Sequence, residues 1–241
     1  MRKPARLAFE FATALAFGAV VVASSPLAVG ASAASPSTLN TDRAIANDIN
    51  LTAKDLPGWQ ASPDVTTKTN KASAARLAAC LGTPRPATAD EAKVNSPYFD
   101  SGNQEESSSV TFKRTRQDGA EALKAETGPK VVSCLRKVAI PVFRSALPKG
   151  TPVTRFQVTV LRPSWLPRSC FAYRLVLVFS TKDGTAAPVT TMLVADDFGF
   201  LVGRAEVDLS SDNVGAPPGI ALEQRLLSTL VSRADKYASK T

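Results

Sequence analysis

The sequence predicts an α+β protein in which an antiparallel sheet of about five to six strands is covered by helices. Three observations support this fold class. Apolar residues recur with a helical period in several regions, and they alternate with polar residues in others. The four strands predicted after residue 150 follow one another without a helix between them. Successive strands of this kind form hairpins, and hairpins build an antiparallel sheet.

The first 33 residues have the features of a secretory signal peptide. Three basic residues precede an apolar run from Phe11 to Ala23, and Ala31–Ala33 supply a small-x-small cleavage pattern. A membrane anchor is the alternative, but it needs about 20 consecutive apolar residues. Ser24-Ser25-Pro26 end this run sooner. We therefore expect a secreted protein, extracellular or associated with the cell envelope, whose mature chain has no transmembrane span.

The mature chain is predicted to consist of a flexible segment at residues 34–45 and a single α+β domain at residues 46–241. Residues 34–45 are small and polar, which is typical of a segment without fixed structure. The rest is long enough for one sizeable hydrophobic core. A Pro-Gly turn precedes Trp59. We predict that Trp59 closes one edge of the core, with stacking on a ligand as the alternative.

Helical periodicity predicts the helices in chain order. The first ends before Gly82 and Pro84 and has an apolar stripe at Ala74, Leu77, Ala78 and Leu81. A second helical region begins at Asp118 with a capping-box spacing and restarts at Pro129. One stripe of the restarted helix is apolar: Val131, Cys134, Leu135, Val138 and Val142. A last helix follows Pro217-Pro218, with an apolar face of Leu226, Leu227, Leu230, Val231 and Ala234.

Strands are predicted where the apolar period changes to two. Alternation indicates half-buried strands around residues 110–112 and 156–160. Residues 170–180 are apolar on both faces apart from Arg174, as in a central strand. Residues 187–210 are interpreted as two strands joined by a turn at residues 196–199.

Three cysteines in an oxidising compartment allow three pairings, each of which leaves one thiol. Cys80 lies in the last turn of the first helix, and Cys134 faces the core from the restarted helix. We favour the pair Cys80–Cys134 because these helices would pack beside each other on the sheet. Cys170 would then remain as a thiol. A nucleophilic cysteine would need a base to form a thiolate, and histidine, the usual base, does not occur in this sequence.

The chain contains no histidine, and this excludes several classes of function. Ser-His-Asp and Cys-His catalysis, imidazole metal sites and imidazole pH switches all require that side chain. Neither of the glycine-rich nucleotide-binding motifs occurs. The net charge of +8 comes from scattered lysines and arginines without interleaved aromatics, so we expect no nucleic-acid binding. We also expect no cofactor, no metal site and no catalytic residue.

Carboxylate chemistry is the main route to catalysis that remains. Asp196 and Asp197 could bind a cation or share a proton. A hairpin tip also explains two aspartates beside an aromatic residue and a glycine, and we favour this interpretation. Asp208 and Asp212 are interpreted as a strand exit and a loop. A hydrolase would need Asp196, Asp197 or Glu206 to converge in a pocket with at least one raised pKa.

Four segments carry a resemblance to a known group of proteins: "LTAKDLPGW", "AACLG", "SPYFDSGNQEESSSVTF" and "SCL". The chain is similar in these segments to actinobacterial exported proteins and lipoproteins. Among them are extracytoplasmic sensor-like domains, including the ectodomain type attached to mycobacterial serine/threonine kinases, and lipoproteins of the Mog1/PsbP-like fold. The resemblance implies an α+β sandwich with a concave binding face and brings no catalytic residue to this sequence.

These observations favour a secreted, non-catalytic binding or sensor-like module of the cell envelope, which we expect to be a monomer. Its partner would be a small or lipidic ligand or an envelope component. Trp59 and Trp165 are the candidate ligand contacts; Trp165 is held rigidly between Pro163 and Pro167, so it can present apolar area at low entropic cost. The alternatives are an extracellular hydrolase and a structural envelope protein that binds anionic polymers through basic residues.

Overall fold

The computed structural model describes residues 36–63, 68–82, 92–166, 169–182 and 187–239. The predicted signal peptide at residues 1–33 lies outside these ranges. None of the helices within them is long and apolar enough to cross a membrane.

Five helices and eight strands occur in the described ranges. In chain order they are α1 (Pro36–Ile49), β1 (Gln60–Ser62), α2 (Lys68–Leu81), β2 (Ala92–Asn95), β3 (Tyr98–Ser101), β4 (Gln104–Phe112), α3 (Arg116–Glu126), α4 (Val131–Ala146), β5 (Val153–Val160), β6 (Cys170–Thr181), β7 (Val189–Val202), β8 (Ala205–Val214) and α5 (Ile220–Asp235). The strands form one sheet in the order β1-β3-β4-β8-β7-β6-β5, and β2 pairs with β4. Every pairing is antiparallel. The predicted α+β fold class is confirmed, and the sheet is larger than expected because three short strands extend it beyond β4.

The sheet separates two apolar cores. Successive residues of a strand point to opposite faces. Strand β7 therefore supplies Leu193 and Ala195 to one core, which α4 covers, and Phe198 and Phe200 to the other, which α1 and α5 cover. We call these the α4 side and the α1–α5 side. Each fully buried side chain of this size contributes about 1.5–3 kcal/mol to folding, so these two cores are the main source of stability.

The predicted apolar stripes of the helices are confirmed, although two helix starts differ. All five stripe residues of α4 are buried, and so are Leu226, Leu227, Leu230 and Ala234 of α5. Helix α3 starts earlier than predicted, because Thr115 is its N-cap and forms the capping box with Asp118. Helix α4 begins at Val131, shortly after Pro129. The periodic pattern locates a helix better than it locates its first residue.

The prediction of a flexible segment at residues 34–45 was wrong for its greater part, because α1 begins at Pro36. Ile45, Ala46 and Ile49 of this helix are buried in the α1–α5 core. Asp42 also pairs with Arg204 at 2.5 Å. Because most residues of the segment are small and polar, its apolar face was not recognised in the sequence. This face is buried only by packing against α5 and the sheet.

The interpretation of residues 196–199 as a hairpin tip was also wrong. Strand β7 runs through them without interruption, and the turn to β8 lies at Gly203-Arg204, where Gly203 has a φ of 61°. Asp208 and Asp212, interpreted as a strand exit and a loop, lie within β8. Long-range pairing across the sheet overrides the local turn preference of aspartate and glycine in these strands.

The predicted disulfide is confirmed. Cys80 of α2 is bonded to Cys134 of α4, with their Cα atoms 5.6 Å apart, while Cys170 takes no part in this bond. Leu77 of α2 is buried in the α4-side core. The bond therefore fixes α2 against α4 and joins residues 54 positions apart in the chain.

We expect Cys80→Ala to lower the free energy of unfolding by about 4 kcal/mol, because the open chain regains the entropy of a loop of this size. Urea unfolding measures the loss, and peptide mapping under non-reducing conditions identifies the bond. Cys170→Ser is the control and should change stability much less. Recovery of Cys134 linked to Cys170 would contradict the assignment.

Candidate functional site

Buried carboxyl groups lie on both faces of the sheet where β4, β8 and β7 pair. They are Glu105, Glu106, Asp196, Asp197, Glu206, Asp208 and Asp212. Neighbouring positions of a strand face opposite sides. Asp196 and Glu106 therefore point toward α5, whereas Asp197, Asp208 and Asp212 point to the other face of the sheet. Burying so many acids in one sheet requires cations, hydrogen-bond donors or protons to compensate them.

The α5-side acid cluster consists of Glu106, Arg174, Asp196, Ser211 and Glu223. Arg174 of β6 donates from Nε to Asp196 Oδ1 at 2.7 Å, and a second bond joins its Nη2 to Oδ2 at 2.5 Å. Ser211 of β8 donates from Oγ to Glu106 Oε1 at 2.7 Å. The register places these four residues side by side in one row across β6, β7, β8 and β4. Glu223, in the first turn of α5, is also buried, and its charge acts on the same acids.

Two acids of this cluster are poor at losing their proton. Burial raises the pKa of Glu106 to about 8, and repulsion from Asp196 adds to the effect despite the hydrogen bond from Ser211. Burial likewise raises the pKa of Glu223 to about 9, with further contributions from a hydrogen bond to Asp196 and from its negative charge. The α5-side cluster therefore holds protons at neutral pH.

On the opposite face of the sheet, Asp197, Asp208 and Asp212 form a second group of buried acids, which we call the acid strip. Ser210 Oγ donates to Asp197 Oδ1 and Ser109 Oγ donates to Asp208 Oδ2, each at 2.9 Å. Burial is the main reason that the pKa of Asp197 rises to about 7 and that of Asp208 to about 8. Burial and the neighbouring acids, Glu105 first, hold the pKa of Asp212 well above its usual range.

The three acids proposed for a hydrolase do not converge. Asp196 and Asp197 point to opposite faces. Glu206 shares a face with Asp197, but it pairs with Leu201, four positions further along β7, which separates the two by about 13 Å. Within the described ranges, no group of three or more histidine, cysteine or acidic side chains is arranged to hold a metal ion.

A cleft of about 440 Å³ opens where the α3–α4 connection approaches the start of β6. Its walls are Thr127, Gly128, Pro129, Val132, Val160, Leu161, Arg162, Pro163, Leu166, Cys170, Phe171, Ala172 and Tyr173. Most of these side chains are apolar, and Arg162 is the only charged one among them. Val160 is 44% exposed although it is apolar, so one wall presents hydrophobic surface to solvent.

The floor of the cleft is fixed by a buried hydrogen bond. Tyr173 donates its hydroxyl to the backbone carbonyl of Glu126, the last residue of α3. Burial, reinforced by the charge of Glu126, raises the pKa of Tyr173 to about 12. Cys170 is half-buried in the same wall, and burial raises the pKa of its thiol. A raised pKa leaves less thiolate at neutral pH, so this thiol is a poor nucleophile.

The structure places both tryptophans against the α1–α5 core. Trp165 belongs to the segment that forms one wall of the cleft, and its ring packs on Phe198 with ring centroids 5.8 Å apart. Trp59 is half-buried and packs against the same core. The cleft was not located by the sequence reasoning, although Gly128-Pro129 and Pro163 mark its two irregular segments. A ligand contact by either tryptophan stays a prediction.

The fold and the cleft define this protein only as an antiparallel α+β domain with a small, open ligand-sized site. No protein-family model matches the sequence, and no curated protein matches it. Among solved structures, the chain is similar to the extracellular domain of PknH from Mycobacterium tuberculosis, with 9% identity and a TM-score of 0.38. The match covers 80% of this chain and 96% of that one. A TM-score this low does not establish a common fold.

Proposed function

We propose that the protein is a secreted, non-catalytic binding module of the cell envelope and that the cleft beside α4 is its ligand site. The cleft carries this proposal. Its volume of about 440 Å³ falls within the range of roughly 300–1,000 Å³ that is typical of small-molecule sites. Its lining combines apolar side chains with polar surface, including Arg162, and polar groups of this kind can fix the orientation of a ligand. The export signal and the resemblance to sensor-like exported domains favour the same class.

The ligand is an amphiphile with an anionic head group. Arg162 supplies the positive charge at the rim, where it is exposed, and Val132, Val160 and Leu166 supply apolar walls. The first turn of α4 contains no acidic residue, and Lys130 provides no side-chain cap for it. The electropositive end of the helix therefore favours the same sign of ligand charge. This chemistry fits a lipidic acid better than a cationic or purely polar metabolite.

A hydrolase is less well supported because Asp196, Asp197 and Glu206 do not share a pocket. The acids nearest to one another lie beneath α5 or within the opposite face of the sheet, and they do not line the cleft. Trp165 acts in this proposal as part of the wall that holds Leu161–Leu166 in place, so its fluorescence should report on binding. Trp59 belongs to no segment that lines the cleft, so it is the less favoured of the two ligand contacts.

Titration of the secreted protein with laurate should give saturable quenching or enhancement of tryptophan fluorescence without turnover. Arg162→Gln should weaken the binding about tenfold, because a charge-assisted hydrogen bond to the carboxylate is lost. Val160→Asp places a like charge in the exposed wall and should abolish the binding. Val160 is already exposed, so this change should leave the fold intact.

Arg155→Gln is the matched control, because Arg155 is exposed on β5, shortly before Arg162 in the chain, and does not line the cleft. Equal losses in Arg155→Gln and Arg162→Gln would show that net charge alone attracts the anion, as expected of a protein that binds anionic polymers. Release of product from ester or amide substrates in the same assay would place the protein among the enzymes.

A further inference from the structure

We propose that the outer surface of α2 and α4 docks on an anionic lipid bilayer and brings the mouth of the cleft to the membrane. These two helices contain six basic residues and no acidic residue. The disulfide between Cys80 and Cys134 joins them, so their charges belong to one layer of the molecule. We call the solvent side of this layer the basic face. Its exposed cations are Arg76, Lys130, Arg136, Lys137 and Arg144.

Three cations of the basic face form one row along α4. Lys130, Lys137 and Arg144 follow one another at intervals of seven residues, and Lys130 is the N-cap residue with a helical backbone conformation. Seven residues rise about 10.5 Å along a helix and make almost two full turns, so these side chains lie on one side of α4. The side toward the sheet is apolar, because Leu135 and Val138 are buried in the core there. The row therefore points to solvent.

Acidic residues are kept away from this face. Residues 127–182 contain ten basic residues and no acidic one. Among the described residues, no acid forms an ion pair with any of the five cations of the basic face. On the other side of the sheet, α1 and α5 together contain four acidic and three basic residues. The fold thus separates basic residues that are scattered in the sequence into one surface of a single sign.

The basic face continues to the cleft. Lys130 directly follows Pro129, which lines the cleft, and the exposed Arg162 lines it from the other wall together with the exposed Val160. A bilayer offers anionic head groups to these cations and apolar chains to the cleft, whereas a soluble anionic polymer offers only the charge. The choice of a bilayer therefore rests on the proposed function, in which the cleft takes an amphiphile with an anionic head group.

The expected strength follows from the number of cations. Each lysine or arginine close to an anionic bilayer strengthens binding about fivefold. This attraction falls off within the Debye length, which is about 10 Å at 0.1 M salt. Cations on the α1–α5 side lie beyond the sheet, so they should contribute much less than those of the basic face.

Co-flotation of the secreted protein with lipid vesicles tests the proposal. At low ionic strength, vesicles of equimolar phosphatidylglycerol and phosphatidylcholine should bind the protein, and vesicles of phosphatidylcholine alone should not. Combining Arg136→Gln, Lys137→Gln and Arg144→Gln should weaken the binding about 100-fold, and each single change about fivefold. All three positions are exposed, so these changes should leave the fold intact.

A second triple variant is the matched control, because it removes three exposed positive charges from the α1–α5 side. It combines Arg43→Gln, Lys54→Gln and Lys236→Gln. Vesicle binding should fall much less in this variant than in the α4 variant. Equal losses in the two variants would show that net charge alone attracts the bilayer, and the basic face would then be wrong.

Two other results would overturn the proposal. One is equal binding to both kinds of vesicle. The other is binding to soluble polyglutamate through the α4 cations without binding to anionic vesicles, which would identify an anionic polymer as the partner.

Titration with laurate distinguishes this proposal from that of the cleft. Arg136, Lys137 and Arg144 do not line the cleft, so the α4 variant should bind laurate like the wild type. If the wild type binds anionic vesicles through α4 but does not bind laurate, the basic face stands and the cleft proposal fails. If it binds laurate but not the vesicles, the basic face fails and the cleft stands.

Discussion

The protein should be considerably more stable at pH 5 than at pH 8. Burial raises the pKa of Asp197 to about 7, of Glu106 and Asp208 to about 8 and of Glu223 to about 9. It also holds the pKa of Asp212 well above its usual range. These acids keep their protons in the folded protein at a pH where the unfolded chain has released them. Unfolding then releases protons, and a rise in pH favours it.

The direction follows from the two pKa values of each acid. Below the pKa of the unfolded chain, about 4 for such acids, both states are protonated and the full stability is present. It declines as the pH rises above that value, until each acid has passed its folded pKa, which lies between about 7 and about 9. Each acid contributes about 1.4 kcal/mol for every pH unit inside its window. Because several buried acids act together, the midpoint temperature of unfolding should fall by at least roughly 10 °C between pH 5 and pH 8.

Thermal unfolding at several pH values measures this effect, and Asp212→Asn provides the matched comparison. The two Asp212 oxygens accept no hydrogen bond from the described part of the chain, so the neutral amide loses little there. The variant should be more stable than the wild type at pH 8 and should match it near pH 4, where Asp212 is protonated in both the folded and the unfolded chain. A midpoint temperature that is constant or rises from pH 5 to pH 8 would refute the expectation.

Acid should destabilise the protein only at lower pH. Asp55 has a lowered pKa, because hydrogen bonds from Arg233 and Thr52 outweigh its partial burial. Arg233 donates to both of its carboxylate oxygens, at 2.7 and 3.0 Å. A group with a lowered folded pKa contributes stability above its unfolded pKa and loses it as the pH falls through the folded value. The bridge between α5 and the segment before β1 therefore weakens below about pH 4.

The helices were predictable because their information is local. The stripes of α4 and α5 repeat over three or more turns, and a repeat of that length has few explanations besides a helix packed on a core. Strand β6 was predicted as a central strand for a similar reason, since it is apolar on both faces. The disulfide followed from placing the helices that contain Cys80 and Cys134 side by side.

The acids were misinterpreted because their partners are distant in the chain. Asp196 looks like a turn residue beside Asp197 and Gly199, and only the pairing with β6 brings Arg174 to it. The cleft has the same origin: Thr127–Pro129 and Leu161–Leu166 meet only after β5 and β6 have paired. No periodic pattern marks such a meeting, and the prolines in these segments were the only sign of irregular backbone.

The second large effect should come from the ion pair between Lys113 and Glu206. The Lys113 side chain is 0% exposed and that of Glu206 is 1% exposed, with Nζ 3.1 Å from Oε2. Lys113 also attracts Asp208 on the same face. Lys113→Met keeps the apolar length of the side chain but leaves Glu206 as a buried charge without this cation. Loss of one partner of a buried pair typically costs 3–5 kcal/mol, so we expect a loss of about this size in urea unfolding.

The double variant separates the charge from the packing. Lys113→Met with Glu206→Leu removes both charges together, and replacement of a buried pair by apolar groups is often neutral or stabilising. We therefore expect the double variant to recover most of the loss, with a coupling energy of about 2–3 kcal/mol between the two sites. Lys137→Met, at an exposed position of α4, should change stability by no more than about 0.5 kcal/mol. If Lys113→Met is as stable as Lys137→Met, or if the double variant recovers nothing, the pair does not compensate the buried acid, and the polar face of β8 must be stabilised in another way.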